Sequence, residues 1–129
     1  MTLFLLEGRF AVCKTPLPPP TGQVEISLTL YDGGGYTWVG PEDSRPVSPD
    51  CQSGFRVLKV AGPLDFSLTG VLAALSATLA EARVSIFAVS SYDTDYLLVK
   101  EAQLSSALKA LEKAGHQIIK LSAGRSRPT

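Results

Sequence analysis

Residues Phe55 to Leu121 read FRVLKVAGPLDFSLTGVLAALSATLAEARVSIFAVSSYDTDYLLVKEAQLSSALKALEKAGHQIIKL, and the order of patterns within them decides the fold. Phe55 to Ala61 has strand composition, and Gly62-Pro63 stops it. From Ser67 to Ala82, the residues Leu68, Val71, Leu72, Leu75, Leu79 and Ala82 recur at three-and-four spacing. That spacing predicts one buried helical stripe, with Ser76, Thr78, Glu81 and Arg83 lying elsewhere. Val84 to Val89 and Tyr96 to Val99 are β-branched and aromatic segments joined by Ser90 to Asp95, which predicts a hairpin. Leu104, Ala107, Leu108, Leu111 and Ala114 mark a second helix that Gly115 is placed to end, and His116 to Leu121 is the last strand. The fold class is therefore α+β, a ferredoxin-like βαββαβ unit.

Residues before this unit have a different texture. Pro46, Pro49, Asp50, Ser53 and Gly54 cluster as linker residues do, which places a boundary there: residues 1–50 form a smaller, mostly β module and 51–129 the larger domain with a short tail. Leu3 to Glu7 and Arg9 to Cys13 are expected strands, and the prolines at 16, 18, 19 and 20 block regular structure. A PxxP match in that run is read as a stiff linker rather than a ligand for an aromatic groove. In Val24 to Tyr31 the alternation of Val24, Ile26, Leu28 and Leu30 with polar or amphipathic neighbours points one apolar face inward. Asp32-Gly33-Gly34-Gly35 supplies residues able to take positive φ, so Tyr36 to Val39 is expected to return as a hairpin arm. The glycines lack Gly-x-x-x-x-Gly-Lys spacing and no amphipathic helix follows them, which disfavours a phosphate loop.

Composition narrows the function classes. The chain has 129 residues, with twelve basic and twelve acidic side chains and no net charge. The electrostatic footprint of a nucleic-acid binder is absent, so no nucleic-acid partner is expected. One histidine and two cysteines without Cys-x-x-Cys spacing leave too few ligands for zinc, and no metal or other cofactor is expected. Met1 to Leu6 is apolar but short and lacks a basic start, and no run reaches membrane-spanning length. A cytoplasmic protein without membrane association is expected, and in that compartment Cys13 and Cys51 are expected to remain half-buried thiols, although a disulfide between them is open to the chain.

No catalytic set is legible. His116 has no carboxylate near it in sequence, the serines have no identifiable base, and Asp93 and Asp95 sit in a turn rather than a water-excluding pocket. The chain is therefore read as no enzyme. Two turns suggest a ligand instead. The loop containing Asp65, Phe66, Ser67, Leu68, Thr69, Gly70 and Val71 opens a helix whose free amides and dipole suit a carboxylate, although Asp65 or Ser67 could itself cap those amides. Gly70, inside the first turn, signals either close approach of a ligand or tolerance near a frayed end. In Ser90 to Asp95, the carboxylate of Asp95 suits an ammonium or guanidinium group, whereas an ordinary turn would use Asp93 and Asp95 to cap amides.

Strands apolar on both faces, as at Val57-Leu58, Ile86-Phe87 and Ile118-Ile119, require covering layers on each side, which predicts packing between the modules and a homodimer. With these features on view, GPLDFSLTGVLAALSATLAEARVSIFAVSSYDTDYLLVKEAQLSSALKALEKAGHQI resembles an ACT domain of the bacterial group similar to the eukaryotic arginine sensor CASTOR, and LFLLEGRFAVCKTP resembles the opening of its rudimentary first module. The resemblance implies two ACT-like modules in tandem, dimerisation, and amino-acid binding at a module interface. It implies a stand-alone regulator that signals through its dimer interface or a partner protein. It implies a site formed by Asp65 to Val71 with Ser91, Tyr92, Thr94 and Asp95, where Asp95 holds the ligand side chain. Ser67 and Leu68 stand where that sensor carries acidic residues, so the resemblance points to a small amino acid. The alternative is an interaction module with no ligand.

Overall fold

The computed structural model describes residues 1–16, 26–61 and 70–121. Their contacts form two units that interleave in sequence, residues 8–55 and residues 1–7 with 56–129. The sequence reading assigned residues 1–50 to the first module, yet the first strand of the chain pairs within the larger unit.

In that larger unit, β1 (Thr2–Leu5) lies antiparallel to the second half of β5 (Asp50–Val60) and parallel to β8 (Gln117–Lys120). On the other side of β5 lies β7 (Asp95–Lys100), which pairs with β6 (Phe87–Ser90). The strand order β6-β7-β5-β1-β8 thus inserts β1 between the first and last strands of the βαββαβ unit. Insertion follows from burial: Leu3 and Leu5 join Leu58, Val60, Leu97 and Val99 beneath α1 (Val71–Glu81) and α2 (Glu101–Lys113). Leu75, Leu79, Ala107 and Leu111 complete this core from the helices, and each fully buried leucine contributes about 1.5–3 kcal/mol. Val57 and Leu98, on the opposite sheet face, are fully buried as well, while Ile119 on the edge strand β8 stays partly exposed.

Both helices end in the same way. At α2, Gly115 takes φ of 98°, its amide bonds to Glu112 and the His116 amide bonds to Leu111, the pattern of a Schellman motif. At α1 the left-handed position is Arg83, with φ of 61°, while its amide and that of Val84 bond to Ala80 and Leu79. His116, expected at a helix end, places Nδ1 3.1 Å from the Met1 amino nitrogen. Partial burial, and secondarily the adjacent ammonium, lower its pKa, opposed by a hydrogen bond from the ring to the Met1 backbone.

The smaller unit comprises β2 (Phe10–Thr15), β3 (Leu28–Tyr31), β4 (Tyr36–Pro41), a single 3-10 turn at Glu42–Ser44 and the first half of β5. The hairpin at Asp32 to Gly35 forms as its composition requires: Gly33 and Gly35 have φ of 92° and 145°, and the Asp32 carboxylate accepts the Gly34 amide. Tyr31 and Tyr36 meet across it with ring centroids 5.1 Å apart.

Three expectations need correction here. Of the alternation expected over Val24 to Tyr31, Val24 and Glu25 lie outside the described residues; Ile26 is buried, but Leu30, on strand β3 at the end of the sheet, is 56% exposed, so the apolar face is not covered along its length. Residues 50–54, read as linker, belong to β5, where Gly54 at φ of 80° lies beside a register shift opposite Phe10 to Val12. Such a bulge accommodates glycine within a strand. Finally, Cys13 and Cys51 are directly opposed on β2 and β5 and form a disulfide, not two thiols. Residues 38 apart in sequence gave no sign of this pairing, which the strand register imposes.

Candidate ligand-binding site

The hairpin β6–β7 closes with Ser90 opposite Asp95, leaving Ser91 to Thr94 as its loop. Ser91 organises that loop. Its backbone amide bonds to the Thr94 carbonyl at 2.8 Å, and its hydroxyl accepts the amides of Asp93 and Thr94 at 3.3 and 3.2 Å while donating to the Thr94 carbonyl at 3.1 Å. The turn is therefore capped by a serine hydroxyl and not by Asp93 or Asp95, the caps that the alternative reading of an ordinary turn would use. Asp93 is left exposed, and Tyr92, 78% exposed, stands at the tip.

Thr94 points the other way. It is 5% exposed, and its hydroxyl donates to the Val60 carbonyl at 2.6 Å. Val60 is the last residue of β5, so this bond ties the hairpin loop to the strand end that leads toward α1. Asp95 opens β7 half-buried, with Oδ1 accepting the Ser90 hydroxyl at 2.6 Å. A hydroxyl-to-carboxylate bond of this length is charge-assisted and fixes the carboxylate plane. On the sheet face away from the helices, the Lys59 ammonium sits 5.9 Å from the centroid of the Tyr96 ring.

Asp65, Phe66, Ser67, Leu68 and Thr69 lie outside the described residues. Gly70 is the N-cap of α1, just ahead of the helix rather than within its first turn. Its φ is 82°, and its carbonyl accepts the first helical bond from Ala74 at 2.8 Å. The backbone conformation explains this glycine without a ligand, since nothing lies within 4 Å of where a Cβ would be. Val71 is partly buried and packs on the core. Of the expected site residues that are described, Ser91, Tyr92, Thr94 and Asp95 thus share one loop, and Thr94 anchors it to β5. Sequence reasoning left Ser90, the partner of Asp95, out of the site, although its place as the first residue of the expected Ser90-to-Asp95 turn was an available signal.

Residues 50–113 match the family model of the ACT domain. That stretch forms the ferredoxin-like α+β core of an ACT domain, accompanied by a smaller, mostly β module, and ACT domains are a non-catalytic, regulatory class of module. A structural-genomics target from Agrobacterium tumefaciens is similar over 98% of this chain and 97% of its own, at 22% identity and a TM-score of 0.86. A Vibrio cholerae protein of unknown function, described as a possible transport protein, is 22% identical over 87% of this chain and 88% of its own, with a TM-score of 0.65. The ligand-free regulatory subunit of aspartate kinase from Thermus thermophilus is 11% identical, covering 88% of this chain and 96% of its own at a TM-score of 0.62. At these identities the likeness concerns the fold. No curated protein matches the chain. Among the described residues, no helix is long and apolar enough to cross a membrane.

Proposed function

We propose that this chain is a cytoplasmic regulatory ACT protein that binds a small amino acid and passes its occupancy to a protein partner or across a homodimer interface. The observation that carries the reading is the Thr94–Val60 bond, which holds the loop of Ser91, Tyr92 and Asp95 beside the exit of β5. In this reading the ligand carboxylate lies against the segment Asp65 to Thr69, Gly70 and Val71, where α1 presents its first amides. Asp95, steadied by Ser90, takes the ammonium group through its second oxygen. The partly exposed Ile119 on edge strand β8 supports association with a second copy.

One observation favours the rival reading of an interaction module without ligand: the side chains of Ser91, Thr94 and Asp95 all have partners within the fold. Titration calorimetry on the wild type and on Asp95→Ala separates the two. Binding of an amino acid that disappears in the variant, with the oligomeric state unchanged, supports the assigned site. Binding retained in the variant rejects that site, and no binding to either protein supports the rival.

A further inference from the structure

We propose that Cys13 and Cys51 form a reversible thiol–disulfide site in the smaller unit, at which small-molecule thiols act on Cys51. The two residues are directly opposed in the β2–β5 register, with Cα atoms 4.1 Å apart, so strand pairing alone holds the sulfurs together. Their exposure is unequal: Cys13 is 1% exposed, whereas Cys51 is only partly buried. Both line a surface cleft of about 560 Å³ whose walls include Lys14, Thr37, Asp50 and Gln52. Its volume admits a tripeptide-sized thiol, and Lys14 and Asp50 face one another across the strands with opposite charges. Once reduced, Cys51 finds an acceptor for its S–H in the Pro46 carbonyl, 3.9 Å from Sγ. Both redox states therefore have a place in the same framework.

The chemistry is thiol–disulfide exchange. A thiolate from the cleft attacks Cys51 Sγ, a bond forms between those sulfurs, and the Cys51–Cys13 bond breaks with its electron pair leaving on Cys13, which takes a proton from water. A second thiolate attacks the small-molecule sulfur of that mixed disulfide and releases Cys51. Two external thiols are oxidised to one disulfide, and the protein disulfide gains two electrons. Cys51 is the attacked sulfur because Cys13 is closed to an incoming nucleophile, and access governs such reactions.

The fold carries its own reporter. Trp38, the sole tryptophan of the chain, is 2% exposed, lies opposite Cys13 in the β2–β4 register and shares with it and Ala11 a buried cluster on which Cys51 packs. It is also fixed from behind, since a Cβ on Gly40 would approach its ring to 2.6 Å. Disulfides quench adjacent indoles, so reduction by glutathione without denaturant is expected to raise Trp38 emission, and oxidised glutathione to lower it again. Peptide mapping of partly reduced wild-type protein after acid trapping is expected to place the glutathionyl group on Cys51. With oxidised glutathione, Cys13→Ser is expected to be modified at Cys51 at least about tenfold faster than Cys51→Ser at Cys13. A disulfide that resists glutathione until the protein unfolds, thiols that stay free in oxidised glutathione, or a glutathionyl group mapped to Cys13 would each overturn the proposal.

Discussion

Replacing Thr94 by valine tests whether the candidate loop is held by its buried hydroxyl. The substitution keeps the branched shape but removes the donor to the Val60 carbonyl, a 2.6 Å bond at a residue 5% exposed. Losing one partner of a buried pair costs about 1–3 kcal/mol, because the remaining group keeps its desolvation penalty. Unfolding entropy near 2 cal/mol/K per residue gives roughly 270 cal/mol/K for a chain of this length, so each kcal/mol lowers Tm by about 4 °C. Thr94→Val is therefore expected to melt about 4–11 °C below wild type and to reach its urea midpoint correspondingly earlier. Thr94→Ser, which retains the hydroxyl and loses one methyl, is expected to cost under about 1.5 kcal/mol. Equal stability of Thr94→Val and wild type, or a larger loss in the serine variant than in the valine variant, would refute the assignment of the anchor to the hydroxyl.

Arg83 occupies the left-handed end of α1 with φ of 61°, where Gly115 serves the equivalent position of α2. Arg83→Gly is expected to stabilise the protein by about 0.5–1 kcal/mol in chemical denaturation, since glycine adopts this conformation without the Cβ penalty. His116 has its pKa lowered in the folded state, so folding favours the neutral ring. Its contribution to stability is complete above the unfolded value of about 6.5 and is lost as pH falls through the lower folded value. Denaturation midpoints measured from pH 8 to pH 5 are expected to fall less steeply in His116→Gln than in wild type.

How much was legible in the sequence depended on whether the determining contacts were local. The three-and-four stripe through Leu75 and Leu79 and the glycine at 115 described their helices correctly, because periodicity and capping are properties of neighbouring residues. The Asp32 to Gly35 hairpin was equally local. Insertion of β1 was not legible: Leu3 pairs with Val60 and Ile118, and no pattern within Thr2 to Leu5 encodes partners that distant. The Cys13–Cys51 bond was hidden for the same reason. Residues 50–54 misled through their composition, since a glycine at a bulge resembles a glycine in a linker. At the candidate site, the turn itself was legible from Ser90 to Asp95, but the inward direction of Thr94 was not, because a threonine between two aspartates reads as solvated until its strand is placed beside β5.

The central claim is that this ACT module binds an amino acid. The most direct measurement is the melting temperature of the purified protein against each proteinogenic amino acid at millimolar concentration, because a ligand bound only by the folded state raises stability with the logarithm of one plus the ratio of its free concentration to Kd. A selective rise with one small amino acid, absent in Asp95→Ala, is the expected result. A melt that no amino acid shifts, confirmed by the absence of heat in calorimetry, would contradict the claim.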